Sequence, residues 1–342
     1  MQRGLLRCAA AAVLFGAATP AASVLGDDLS PFVLAGLLYL GAAAAVAPFV
    51  VGHRPDASAW RRGRARLGIA VVFGGMVGPV LLMAALRHSP ASTVSLMLNL
   101  EVVFTVALAA IVFREQLGVR VVAGAVCVAT AGVMLGWSSD VNLRVGALLA
   151  AGACAAWAID NTTTAHLEAF TPQQITFAKG VVAGGVNLVL GLVAGGWIDA
   201  AAAALALVVG AFGYGASISL WISGARDVGA ARGQLIFAVA PFVGAGLSWL
   251  LLGEAVSRQA IVALAFAVTG VALVVRSGHT HAHVHPAIGH EHEHRHDDGH
   301  HDHVHADGYT GRHTHRHDHE RLEHEHVHLP DVHHRHRHDG AH

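Results

Sequence analysis

Up to Arg276 the chain is a succession of apolar runs, each about 18–22 residues long, separated by short polar breaks. At 1.5 Å per residue, that length of helix crosses the roughly 30 Å of hydrocarbon in a bilayer. This pattern constrains the fold more than any motif does. A water-soluble core cannot cover so much apolar helix surface, and a backbone surrounded by lipid must satisfy its hydrogen bonds within its own helix. Composition agrees: the chain is 54% hydrophobic and only 13% charged, and many of its 39 glycines lie inside the runs, where small residues let helices pack closely.

Ten spans follow in order. The first runs from Arg3 and Arg7 to about Leu25; its Ala-Thr-Pro-Ala-Ala-Ser stretch resembles a cleavage site, which makes a signal peptide the rival reading. The others fall at about Pro31–Val51, Leu67–Leu86, Ala91–Phe113, Val119–Trp137, Val145–Asn161, Gln173–Ala194, Ala200–Ile222, Gly233–Leu252 and Gln259–Val275. With the N-terminus inside, the inner segments collect Arg3, Arg7, Arg54, Arg61, Arg62, Arg64, Arg66, Arg114, Arg120, Arg226, Arg232 and Arg276, and the outer turns only Arg87, Arg144 and Arg258. The positive-inside rule then places both termini in the cytoplasm, in the bacterial cytoplasmic (inner) membrane.

One stretch occurs twice. Sliding the chain by 139 positions brings Arg87 onto Arg226, Ala91 onto Ala230, Leu96 onto Leu235, Leu108 onto Leu247 and Glu115 onto Glu254. The chain therefore divides into two five-helix repeats, 1–137 and 138–276, and a tail, 277–342. Five is an odd number, so the second repeat enters the membrane from the opposite side and the duplication is inverted. The expected fold is an all-α membrane protein of two inverted five-helix repeats with a disordered C-terminal tail.

Phe15-Gly16 ahead of Pro20, Leu100-Glu101-Val102 in the fourth span, and Glu115 and Glu254 closing corresponding spans resemble the drug/metabolite transporter superfamily, in its EamA group. The resemblance covers about residues 4–275. That family usually has proline after the fourth-span glutamate; here the position is Val102, while the second half carries Pro241. The resemblance implies a ten-helix bundle with a central substrate cavity and alternating access.

Polar residues inside the spans are the candidates for chemistry, because a charge in hydrocarbon needs a partner or a cavity. Glu101 lies mid-span with Asn99 two residues earlier; it reads either as a cation or proton site or as a structural acceptor. Lys179 and Asn187 are eight residues apart and close to one helix face. Lys179 reads as a partner for Glu101, a ligand for an anionic group, or an amine reaching back to the interface. Trp157 and Gln234 complete the cavity candidates. Asp160 reads as a cap or interface anchor, the glycine pairs 74–75 and 184–185 as packing contacts, and Glu115 and Glu254 as anchors of the following turns beside Arg120 and Arg258.

The tail is a different material. Of the 27 histidines, all but His53, His88 and His166 follow Ser277, mostly as His-x-His. The sets are His279, His281, His283 and His285; His290, His292, His294 and His296; and His313, His315, His317 and His319. Alternate residues share one side of an extended chain, and imidazole suits zinc, nickel, cobalt and copper. So polar a segment buries no core and reads as disordered.

The chain shows no phosphate-cradling Gly-Lys-Ser/Thr loop, no nucleotide fingerprint and no nucleophile with its base, so an enzyme is not expected, and no cofactor is required. The expected partners are the lipid bilayer, a small-molecule solute, transition-metal ions at the tail and, as an option, a second copy in a homodimer; nucleic acid is not among them. The sequence favours a secondary transporter exporting a small metabolite or drug-like solute, with a regulatory or buffering tail. The alternative is a membrane protein for transition-metal handling in which the tail is the working element.

Overall fold

The computed structural model describes residues 2–50, 57–112, 118–164, 167, 170–228, 233, 236–275, 279–285, 288–294, 313–319 and 322–328. The chain separates into a helical unit and a tail unit spanning Gly278–His334.

Among the described residues, nine helices of the helical unit are long and apolar enough to cross a membrane. They are α1 (Gln2–Leu25), α2 (Pro31–Val50), α3 (Gly63–Leu86), α4 (Ala91–Val112), α5 (Val119–Gly136), α6 (Val141–Thr164), α7 (Pro172–Val193), α8 (Ala200–Gly224) and α10 (Arg258–Val275). Between the last two lies a shorter apolar helix, α9 (Ala240–Leu251). Of the ten expected spans, α9 is the one whose described part is too short to cross alone.

Helix starts follow local chemistry. Thr171 caps α7, accepting from the Gln174 backbone while the Gln174 side chain accepts from the Thr171 backbone, and Pro172 takes the first helical position. Asp199 caps α8 by accepting from Ala202 N at 2.8 Å. Glu254 was expected to anchor its own turn beside Arg258. Instead its carboxylate reaches α4, accepting from the N–H groups of Ala91 and Ser92. A helix start offers free N–H donors and the positive end of the helix dipole, which attract an anion more strongly than an arginine held in water. Glu115 lies outside the described residues.

Small residues set the spacing of the bundle. A Cβ on Gly36 of α2 would meet Leu188 N of α7 at 2.7 Å, and one on Gly124 of α5 would meet Gly270 O of α10 at 2.7 Å. The core is built on Leu34, Leu38, Leu82, Met83, Val94 and Val128, all at most 1% exposed.

In the tail unit, β1 (His279–His285) pairs antiparallel with β4 (Leu322–His328), and β2 (Ile288–His294) with β3 (His313–His319). The His-x-His alternation has the two-residue period of a strand, and ladder pairing satisfies the backbone of a segment with no core.

Candidate functional site

The fourth helix of the bundle is not continuous. At Leu98 and Asn99 the helix tightens: Glu101 N bonds Leu98 O at 3.1 Å and Val102 N bonds Asn99 O at 3.0 Å, three residues back instead of four. The Asn99 amide turns onto its own helix, donating to Leu96 O at 2.9 Å, and the Cys154 thiol of α6 donates to Met97 O and Leu98 O. The corresponding place in the second half is interrupted too. Residues 238 and 239 form a turn before α9, with Phe242 N bonding Val239 O at 3.0 Å. A shift of 139 takes Asn99 onto Ala238. Paired breaks in corresponding helices free backbone groups near the middle of a membrane, where transporters built from repeats hold their solutes. Gly16 of α1 sits on the second break; a Cβ there would meet Ala240 O at 2.5 Å.

Just past the first break lies a polar cluster. Glu101 accepts from the Asn161 carboxamide of α6 at 2.5 Å. The next residue on α6, Asp160, pairs with Lys179 of α7 at 2.5 Å, with side chains only 6% and 15% exposed. Thr164 donates to the other Asp160 oxygen at 3.0 Å. An unpaired charge at this depth costs about 2.5–3.5 kcal/mol on insertion scales, which explains why Lys179 takes a carboxylate in the bundle. Its partner is Asp160, not Glu101. Asp160 is 4% exposed, so the expected role of interface anchor is corrected to that of a buried counter-ion.

The cluster leans on a widened, π-helical segment of α3, Val71–Val77. Such a turn displaces carbonyls from the regular ladder and leaves them available to side chains. Gly74 O accepts from the Tyr39 hydroxyl at 2.5 Å and from Trp157 Nε1 at 3.2 Å. Asn187 Nδ2 reaches Gly75 O at 3.2 Å and Met76 O at 3.4 Å. Absence of a side chain at Gly74 makes room for Asp160, whose carboxylate would overlap any Cβ placed there. Lys179 opens a similar segment of α7, Lys179–Ala183, and α8 carries a third, Ala211–Ala216.

From Tyr39 a chain of rings leads across the bundle. Tyr39 lies 5.7 Å from Tyr214, Tyr214 5.7 Å from Phe15, Phe15 5.3 Å from Phe237 and Phe237 5.8 Å from Trp221. The buried Trp221 Nε1 has no hydrogen-bond partner among the described residues. Packing around α4 is uneven: from Ala91 to Leu100 every residue but Thr93 is buried, whereas the described residues from Glu101 to Val112 are all at least partly exposed. The cluster thus stands where α4 passes from buried to partly exposed.

Four of the sequence candidates, Glu101, Trp157, Lys179 and Asn187, meet around this cluster and the α3 carbonyls. Asn99 is buried beside the break but bonds within its own helix. Gln234 and His296 lie outside the described residues. Sequence reading did not select Asp160, Asn161, Tyr39 or Gly74. The signal for Asp160 was present: an acid three residues after Trp157 inside an otherwise apolar run. Among the described residues no three His, Cys, Asp or Glu side chains form a metal-holding group.

The family model for EamA-like transporters matches residues 2–137 and again 144–276. The chain belongs to the EamA-like transporter family. The two matches leave 138–143 between them, where the sequence repeat divides, so each half carries one EamA unit. An uncharacterised transporter of Methanothermobacter thermautotrophicus (strain Delta H) is 27% identical over 221 residues, which are 61% of this chain and 64% of that protein's length. A solved crystal structure shares the fold with a TM-score of 0.57 at 20% identity, over 79% of this chain and 94% of its own. Together with the apolar spans, EamA membership makes this an integral membrane protein of a transporter family, not of an enzyme family.

Proposed function

We propose that the chain is a secondary transporter that moves a small metabolite or drug-like solute, in the direction of export, by alternating access between two inverted five-helix repeats. The observation that carries this reading is the pair of broken helices with Glu101 and the Asp160–Lys179 pair beside them. A bundle that only needed to be stable would place no such groups within its spans, since apolar residues of the same volume pack as well without the desolvation penalty. The change from tight to open packing at Glu101 along α4 supports an inward-open form, with the open side cytoplasmic by the positive-inside rule. The test is solute counterflow in proteoliposomes: Glu101→Gln should abolish transport while the protein still inserts and folds, and normal transport by that variant would reduce Glu101 to a structural acceptor.

The tail is proposed as a regulatory or buffering metal binder for zinc, nickel, cobalt or copper. In the ladders, His281 stands opposite His326, His283 opposite His324, His290 opposite His317 and His292 opposite His315. That register supports the reading by bringing imidazole-bearing positions opposite one another, His324 and His326 among them, and imidazole suits first-row metals. Titration of the full chain with zinc should saturate at several ions, and deletion of the tail should remove that binding.

A further inference from the structure

Each ladder of the tail is a sheet of only two strands, and two strands alone are marginal in water. The β1–β4 ladder joins positions 279 and 328, so pairing closes a long loop at an entropic cost. The strands carry too few apolar residues to offset that cost by burial. Something else must hold them, and the register points to it. In an antiparallel ladder, positions directly opposite and those two residues along share one face. On β1–β4 one face holds the rungs His279–His328, His281–His326 and His283–His324. On β2–β3 one face holds His290–His317, His292–His315 and His294–His313. The strand carboxylates all fall on the other faces, where Glu323 and Glu325 stand opposite Val284 and Ala282, and Glu291 opposite Arg316. A slip of one residue in either ladder would set each of these histidines opposite a residue other than histidine.

We propose that each ladder is a metal-closed clasp: a transition-metal ion bound by imidazoles from both strands holds the register, and the strands part when it leaves. The proposal rests on the reading of the tail as a metal binder and names how that site is built and regulated. Successive rungs on one face are about 6–7 Å apart along a strand, and rung partners about 4.5–5.5 Å apart across it. Four imidazole-bearing positions thus surround one spot above the face. His281 and His283 give only two ligands from β1; the third and fourth come from His324 and His326 of β4. His290 and His292 of β2 stand in the same relation to His317 and His315 of β3. An ion that needs three or four ligands must therefore bridge the strands, and its binding free energy becomes folding free energy. Every donor position on these faces is a nitrogen, which suits zinc, nickel, cobalt and copper. Magnesium and calcium take oxygen ligands and find none there. Cys8, Cys127 and Cys154 all precede the tail, so thiolate plays no part.

The test uses the purified full chain in detergent, with its native cysteines replaced and nitroxide labels on introduced pairs. Thr280→Cys with Val327→Cys reports on β1–β4, and Glu293→Cys with Thr314→Cys on β2–β3; both pairs are rung partners on the faces without histidine. Thr280→Cys with Glu323→Cys is the out-of-register control. Zinc should bring both in-register pairs into strong dipolar coupling, EDTA should reverse it, and magnesium should have no effect. His324→Ala with His326→Ala should abolish the approach at 280–327 while leaving 293–314 unchanged, although every histidine of β1 remains. The proposal is overturned if either pair couples equally with zinc and with EDTA, or if the 280–327 coupling survives the double substitution. Coupling driven by magnesium, or equal coupling in the control pair, overturns it too. Calorimetric titration with zinc separates the two readings. Zinc that binds without bringing the labels together leaves the tail a metal binder and sinks the clasp, whereas a chain that takes up no zinc sinks both.

Discussion

The Glu254 carboxylate accepts from Ala91 N at 2.7 Å and Ser92 N at 2.9 Å, so a residue from the end of one half caps the helix that carries Glu101 in the other. Two charge-assisted bonds at a helix start are worth about 1–2 kcal/mol together in a partly buried setting. Because they join the halves at the tightly packed end of α4, they hold that end closed. Glu254→Ala should therefore shift the balance towards opening there. Ser89, 7% exposed beside this contact, reports it. In a chain whose native cysteines are replaced, Ser89→Cys should react several-fold faster with a membrane-impermeant maleimide once Glu254 is alanine; unchanged labelling would show that the cap does not hold the closure.

The Asp160–Lys179 pair predicts an asymmetry between single and double substitutions. Removing one partner strands the other charge in the bundle, a loss of about 3–5 kcal/mol for well-buried pairs. Asp160→Asn and Lys179→Met should each lower the thermal midpoint in detergent by several degrees. The double variant should regain most of that loss, because no charge is left unpaired. Additive losses would mean that the two side chains contribute independently.

Two glycines that look alike in the sequence should respond in opposite ways. A Cβ on Gly74 runs into the Asp160 carboxylate, and one on Gly185 meets nothing within 4 Å. Gly185→Ala should stabilise its helix by about 0.5–1 kcal/mol through lower unfolded-chain entropy and better helix propensity. Gly74→Ala should displace Asp160 and reduce both stability and transport. Equal effects from the two substitutions would contradict the packing around the α3 carbonyls.

These contrasts mark what was legible beforehand. The fifth span was read at Val119–Trp137 and the helix is Val119–Gly136, because Gly118 and the polar turn after Trp137 bracket an unbroken apolar run. The sixth was read from Val145, but its helix begins at Val141, since Asn142 and Arg144 lower the local hydropathy without preventing a helix. The break at Leu98 and Asn99 left no trace, as neither glycine nor proline marks it. Asp160 was misread because apolar runs locate a span but do not give the rotation of a helix about its axis. By sequence alone Lys179 matches any acid of the bundle, and only the packed arrangement selects one; the π-helical segments are equally a product of packing.

Topology gives the next prediction. Reporters fused after Gly52 and Gly278 should read cytoplasmic, and one fused after Trp137 should read external. The arginines at the start of the third helix dominate this outcome, and neutralising Arg61, Arg62, Arg64 and Arg66 should weaken or reverse it. An external reading after Gly278 would put the histidines outside the cell and remove any cytoplasmic buffering role.

Deleting Ser277–His342 separates the tail from the bundle. The histidine-rich segment is a unit of its own, so the truncated chain keeps every helix and both EamA units. Zinc and nickel binding should fall to near zero, because almost all the imidazoles go with the tail. Solute transport should persist, with only its dependence on added metal changed; loss of cellular metal tolerance with no effect on any solute would instead make the tail the working element. Protonation gives a second readout on the intact protein. Histidine has a reference pKa of about 6.5, and protons compete with metal for the same ring nitrogen. Metal should therefore be held at pH 7.5 and released as the pH falls through 6 towards 5. Binding that survived both the deletion and the acid shift would place the metal among the helices.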